Sequence, residues 1–431
     1  LPWGDSLEKV AENAEAAAHR LVSPGYLFED FGFRYFGPID GHDRKAIETA
    51  LQRVTNLREP ILLHVHTKKG GGWEPALADP LAFHGPQGFD PDTGEFHPKP
   101  PSGQTWGGIF TDTLLEIAAE DERMVAVTAA MPSGTGLRTF AKTYPERSYD
   151  VGICEQHSFG FVQGLAVAGL HPILAHYSTF AQRGYDQLFQ ELVVQRDLGV
   201  VVTLDRAGLV GQDGETHQGL YDISWSRCFP GVICAAAKDG PELAALLRWA
   251  HALRLQEQGR PAATIIRYPK EEIPTCVWPQ TNAPIELGKA EVVQRGDGNL
   301  MIWAYGPMVA RAFAALQELG ENGSKVTLVN ARFAKPFDID LLTELAADHQ
   351  QIITIEDHAL PGGFGSVLAE EAMDAELEVK VHRLGVRDEL VAHAKREEQL
   401  ADQGLDIPGI KSVIGHYLGL SKAHIPFTKQ G

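Results

Sequence analysis

The residues with the most chemistry are clustered in the middle of the chain. Glu155 lies in Asp150-Val151-Gly152-Ile153-Cys154-Glu155-Gln156-His157-Ser158-Phe159-Gly160, which reads as a strand end leading into a helix of small residues at 164–169. A carboxylate at the mouth of a sheet can exchange protons with a bound ligand; at a helix start it can equally do no more than complement the macrodipole. The run His176-Tyr177-Ser178-Thr179-Phe180-Ala181-Gln182-Arg183 adds a phenol, an aromatic face and a guanidinium. Arg206 in Asp205-Arg206-Ala207-Gly208 and Arg267 in Arg267-Tyr268-Pro269 supply planar forks of the kind that recognise phosphate. Asp213 and His217 lie four residues apart in a glycine-flanked loop, an acid and an imidazole suited to hydroxyl contacts or proton shuttling. On residue type alone the plainer readings stand beside these: Phe180 as core, each arginine as a solvated ion-pair partner.

Such residues need a scaffold that gathers strand ends. Apolar runs such as Ile61–His66 and 200–204 follow helix-like stretches at 43–57 and 185–195, an alternation that predicts parallel sheets wrapped by helices, an α/β fold. Three blocks emerge, at 1–103, 104–280 and 281–431. The first ends in a Gly-, Pro- and Asp-rich tract at 80–103 that reads as a linker. The second opens with a helix at 109–120 and holds strands near Met124–Thr128, 173–176 and 200–204. The third, after a Pro-studded stretch at 274–284, holds strands near 290–294, Leu300–Ala304, 325–329 and 351–355.

A net charge of -19 over 431 residues disfavours nucleic acid or an anionic membrane as a partner, so an anionic substrate must meet a local basic pocket. The four cysteines, Cys154, Cys228, Cys234 and Cys276, form no C-x-x-C pair and no zinc-like spacing, which fits a reducing, cytoplasmic setting. No run is long and apolar enough to span a membrane, and the opening Leu1-Pro2-Trp3-Gly4-Asp5 reads as the middle of a protein rather than its start. Gly296-Asp297-Gly298 with Asn322 imitates a metal–diphosphate motif but precedes a strand of the third block, where a turn accounts for it.

The stretch from Asp150 to Gln156, with the Tyr177-Ser178-Thr179-Phe180 run, resembles the pyrimidine domain of transketolase-like thiamine enzymes. Asp205-Arg206-Ala207-Gly208-Leu209-Val210-Gly211, Asp213-Gly214, Thr216-His217-Gln218-Gly219 and Arg267-Tyr268-Pro269 narrow the resemblance to the 1-deoxy-D-xylulose-5-phosphate synthase family. Gly37-Pro38-Ile39-Asp40-Gly41-His42-Asp43, Thr67-Lys68-Lys69-Gly70, Asn330-Ala331-Arg332-Phe333 and Gly362-Gly363-Phe364-Gly365 extend it along the chain. The resemblance implies a transketolase-like fold: a remnant of a diphosphate domain, a pyrimidine domain and a smaller C-terminal α/β domain. It implies thiamine diphosphate as cofactor, with Mg²⁺ held by a segment upstream and no metal ligand in this chain. Glu155 would bond the aminopyrimidine, Phe180 would stack on it, and Met131 and Lys69 would lie beside the cofactor. Tyr177, Arg183, Arg206 and Arg267 would bind substrate, with His84, Asp213 and His217 joining Glu155 in catalysis. Pyruvate and D-glyceraldehyde 3-phosphate are the implied substrates, the assembly a homodimer with room for a separate N-terminal chain, and the compartment cytoplasm, or plastid stroma in a plant or alga. A transketolase, a 2-oxo acid dehydrogenase E1 β-type subunit or a non-catalytic subunit is the alternative. Cys154, Ser158-Phe159-Gly160-Phe161 and Met131-Pro132-Ser133-Gly134 depart from the family pattern.

Overall fold

The computed structural model describes residues 25–86, 88–97, 103–256, 258–276, 278 and 284–420. The opening Leu1-Pro2-Trp3-Gly4-Asp5 lies outside them. Two compact units divide the chain, Leu1–Pro101 and Ser102–Gly431.

In the first unit, β1 (Arg34–Asp40) and β2 (Ile61–His66) pair in parallel through the helix Arg44–Val54. Asp43 starts that helix by accepting the amides of Lys45 and Ala46. The described residues of the tract expected to be a linker, at 80–86 and 88–97, pack on one another. Phe89 and Phe96 form an antiparallel bridge, and Phe83 packs 4.9 Å from Phe96 and 5.0 Å from Trp73. The aromatics scattered among the glycines and prolines bury one another, a gain that breaker density does not reveal.

The second unit holds two sheets. One contains β3 (Met124–Thr128), β4 (Ser148–Asp150), β5 (His171–Tyr177), β6 (Val200–Asp205), β7 (Val232–Ala236) and β8 (Ala263–Arg267). The other is built from β9 (Glu291–Gln294), β10 (Leu300–Ala304), β11 (Thr327–Asn330), β13 (Gln351–Ala359) and β14 (Lys380–Val386). A short strand, β12 (Phe333–Lys335), comes from the later part of the chain yet pairs antiparallel with β7, giving the order β12-β7-β8-β6-β5-β3-β4. One apolar core includes Val200 and Val202 of the first sheet with Trp303, Tyr305 and Phe364 of the second part. Every residue of β6 is buried, as expected for a parallel strand covered on both faces.

From β3 the chain steps outward to β4 and then returns across β3 to β5, so the C-terminal ends of β3 and β5 form a topological switch point. Open parallel sheets bind ligands in that crevice. Two helices differ from expectation: one starts at Glu155 itself and runs to Val167, and the stretch at 185–195 widens into a π-helical segment, Leu188–Val193.

The loop after β6 is clamped against the second sheet. Leu209 N donates to Asp357 Oδ1 at 2.9 Å, and Arg396 donates to Asp357 Oδ2 at 2.7 Å. Gly208 has φ +86°, and a Cβ there would stand 2.1 Å from the Asp357 carboxylate. Gly208→Ala therefore combines backbone strain with displacement of a buried charge, and is expected to cost roughly 2–4 kcal/mol in urea unfolding followed by tryptophan fluorescence.

Candidate active site at the strand ends

The switch point gathers side chains that sequence separates. Tyr177 ends β5, and its phenol lies over the loop after β3: a Cβ on Gly134 would fall 1.6 Å from the Tyr177 hydroxyl, so this position admits glycine alone. Burial pushes the Tyr177 phenol above its usual range. Met131, in the same loop, is buried, and its Sδ lies 3.5 Å from the Tyr177 amide nitrogen. Arg206 follows β6 in the left-handed region, with φ +60°, a conformation costly for a residue with a Cβ. Its guanidinium stacks 3.8 Å above the Tyr177 ring and donates to Gly134 O at 2.9 Å. Asp205 accepts the Arg206 amide at 2.6 Å, and burial pushes its carboxyl up to about 6.

Phe180 stacks on Tyr177 at 5.6 Å and meets the His217 ring edge-on at 5.1 Å. It is only partly buried, so it is not the core phenylalanine that its position after a strand allowed. His217 Nδ1 lies 3.0 Å from Thr216 Oγ1. Asp213, from the same loop, faces cations: Lys270 Nζ at 2.7 Å and Arg206 Nε at 3.4 Å.

Glu155 is the first residue of its helix and only 3% exposed. Arg183 Nη1 donates to its Oε2 at 3.0 Å. Arg183, expected at the substrate, is here the counter-ion of the carboxylate, with its own side chain 53% exposed. The contact depends on Gly184, where a Cβ would press within 2.3 Å of Phe159.

Arg206 and Arg267, expected to form one phosphate pocket, take different partners. Arg267 is 3% exposed; its Nε donates to Asp222 Oδ2 at 2.6 Å and its Nη2 to Asp357 O at 3.0 Å. The second cation at Asp213 is Lys270, which the sequence reading passed over. Its signal was present, a positive charge directly after Arg267-Tyr268-Pro269 at a strand end.

Lys69 and His84 belong to the other unit, and both are exposed. Lys69 follows β2, beside Lys68, whose amide donates to His42 Nε2 at 2.9 Å; His84 sits in a turn with its amide 3.3 Å from Leu81 O. Gly296-Asp297-Gly298 is the tight turn into β10, with Gly298 N donating to Lys325 O at 2.8 Å and no room for a Cβ at Gly296.

Comparison with known proteins agrees with this fold. The transketolase pyrimidine-binding domain matches over residues 102–275, the transketolase C-terminal domain over 288–410, and a domain described as 1-deoxy-D-xylulose-5-phosphate synthase over 2–67. Curated 1-deoxy-D-xylulose-5-phosphate synthases are 42% identical over 95% of this chain in Polaromonas sp. and 41% identical over 97% in Syntrophus aciditrophicus. The chain belongs to the 1-deoxy-D-xylulose-5-phosphate synthase family. It spans 62% and 64% of the length of those two relatives. Among solved structures, one titled a split gene transketolase, inactive beta4 tetramer, aligns at TM-score 0.63 and 26% identity, over 74% of this chain and 100% of its own. A mutant transketolase from Pichia stipitis shares the fold at TM-score 0.57 and 17% identity, over 75% of this chain and 47% of its own. Among the described residues no helix is long and apolar enough to cross a membrane.

Within this family member, stability separates the two cations near the Arg267-Tyr268-Pro269 motif. Arg267→Ala strands the buried Asp222 carboxylate and is expected to cost about 3–5 kcal/mol, whereas Lys270→Ala, at a half-exposed pair, should stay within about 1 kcal/mol of the parent in urea unfolding.

Proposed function

We propose that this chain carries the pyrimidine-facing and substrate-facing parts of a 1-deoxy-D-xylulose-5-phosphate synthase, which joins pyruvate to D-glyceraldehyde 3-phosphate with release of carbon dioxide. The names of its relatives support the reading, and one observation carries it: Arg206 and Lys270 converge on Asp213 beside Tyr177, Phe180 and His217 at the switch point. In a chain of net charge -19, the site sets two cations against two carboxylates, Asp205 and Asp213, and its guanidinium and ammonium donors suit a phosphate-bearing acceptor.

The residues fit the aminopyrimidine half of thiamine diphosphate. Phe180 offers a partly open aromatic face, Met131 a buried apolar neighbour, and Glu155 a sequestered carboxylate that would accept or share a proton with a ring nitrogen. When bound, the cofactor supplies the carbon nucleophile that pyruvate needs. Arg183 orients Glu155, Arg206 and Lys270 would hold the acceptor's phosphate, and His217 would hold or move a proton at its hydroxyls. Asp213 holds the two cations side by side where the acceptor's phosphate would bind, and Tyr177 backs Arg206. Arg267 acts through Asp222 as a positioning residue.

Mg²⁺ is a different matter. Among the described residues, the cluster tight enough for an ion contains two histidines and one carboxylate, unlike the all-oxygen shell of Mg²⁺. We assign the Mg²⁺ and diphosphate ligands to residues other than those described, in this chain or a partner chain, and the assembly to a homodimer. The full-length match to a split gene transketolase favours a second form of the same reading, in which a separate chain provides the diphosphate site.

In the assembled enzyme, Arg206→Ala and Lys270→Ala should each raise KM for D-glyceraldehyde 3-phosphate about 10- to 150-fold, the worth of one charge-assisted contact. KM for pyruvate should hardly move, and unphosphorylated glyceraldehyde should lose far less. Steady-state kinetics with both aldehydes measures this; a parental ratio between them in both variants would remove the phosphate site. Glu155→Gln should suppress proton exchange at the cofactor's thiazolium carbon, followed by NMR, and an unchanged exchange rate would leave Glu155 as a helix-end carboxylate.

A further inference from the structure

At the other edge of the seven-stranded sheet, three side chains from three elements meet. Asp121 ends the helix Trp106–Glu120, His171 opens β5, and His251 lies in the last turn of the helix Gly240–Arg254. One ligand atom from each lies within 4.8 Å of the other two. His251 Nε2 is 3.1 Å from Asp121 Oδ2, and His171 Nδ1 bonds the same oxygen. His171 is 5% and His251 8% exposed, and the Asp121 side chain keeps 14% of its surface open.

We propose that Asp121, His171 and His251 bind one divalent transition-metal ion, with Zn²⁺ the best chemical match. Two imidazole nitrogens and one carboxylate oxygen are a borderline donor set, suited to Zn²⁺ and poor for Mg²⁺ or Ca²⁺. A tetrahedral Zn²⁺ with bonds near 2.0–2.1 Å places neighbouring donors about 3.3 Å apart, so small ring rotations convert the present arrangement into a site. The opening at Asp121 leaves the fourth position to water. Burial lowers both imidazole pKa values despite the opposing pull of Asp121, and moving each ring proton to the far nitrogen would free the nitrogen that faces Asp121 for the ion. Burial acts to raise the Asp121 carboxyl, but the His171 and Arg123 hydrogen bonds prevail and hold it at about 2, so it is ionised. Arg123 Nε, 3.4 Å from Asp121 Oδ1, weakens the attraction for a cation. The site lies one strand length, roughly 20 Å, from Tyr177 along β5, so the ion fastens two helices to the sheet and takes no part in the proposed reaction.

The test is calorimetric titration of Zn²⁺ into metal-stripped protein, comparing the parent with His171→Asn and His251→Gln. Asn places an amide N–H near the Nδ1 position and Gln near the Nε2 position, so each keeps a hydrogen bond to Asp121 while removing a metal donor. The parent should bind one equivalent and gain melting temperature with Zn²⁺; each variant should bind at least roughly tenfold more weakly and gain little. Binding absent at about 100 μM Zn²⁺, or equal in all three proteins, would overturn the site. If a variant does not fold, the visible spectrum of Co²⁺-loaded parent decides: tetrahedral bands support the site, and the pale spectrum of octahedral aqueous Co²⁺ overturns it.

Discussion

Buried charge ties this protein's site together. Asp222, Arg267, Asp357, Arg396, Glu271 and Arg311 form a chain of ion pairs, with Arg267 bonded to Asp222 and to Asp357 O, and Arg396 bridging Asp357 and Glu271. Each charge, taken out of water alone, would cost several kcal/mol, and each is stable here because its partner is present. Asp222, Arg267 and Glu271 come from the part of the chain before β9, and Asp357, Arg396 and Arg311 from the part after it. Asp222 and Arg267 pair within the first part and Asp357 and Arg396 within the second, but Glu271 of the first takes both its counter-ions, Arg396 and Arg311, from the second. The loop between β6 and β7 is caught where the two parts meet, and so Arg206, Asp213 and His217 are held at fixed positions.

That constraint explains the economy of the site. The six parallel strands of this sheet bring their C-terminal ends to one edge, and five of them contribute a group: Met131 and Gly134 after β3, Glu155 after β4, Tyr177 at β5, Arg206 after β6, Lys270 after β8. Arg206 pays for its place with a left-handed backbone, and the Tyr177 ring, Gly134 carbonyl and Asp205 carboxylate all support it there. Deeper in the second sheet, burial pushes the Glu356 carboxyl up to about 8 even as it accepts the amide of Gly365 at 2.9 Å. The cost of that site is met by packing around it, which joins the helix Phe364–Asp374 to β13.

Much was already legible in the sequence. The apolar runs at Met124–Thr128 and Leu300–Ala304 are the strands β3 and β10, because a strand buried on both faces must be continuously apolar. The grouping of Tyr177, Phe180, Arg206, Asp213 and His217 followed from long motifs, and these residues do meet in space. Local chemistry was enough in both cases, since a strand's pattern and a loop's residues lie within a short stretch of chain.

Partner choice was not legible, because charge pairing and burial act across distances in sequence that no motif spans. Arg267 looked like a phosphate ligand until Asp222, 45 residues away, and Asp357, 90 residues away, claimed its donors. Arg183 turned from substrate contact to counter-ion when the helix of Glu155 packed against it, 28 residues apart. The pairing of β12 with β7, the folding of the aromatic tract at 83–96, and the meeting of Asp121, His171 and His251 belong to the same class. The sequence by itself determined which elements form and which residue types stand at their ends, since those depend on near neighbours and on the alternation of apolar and polar residues. Only the tertiary structure decided which charge each of those residues faces, because a buried ion is stable solely beside a partner that the fold, and not the chain, brings to it.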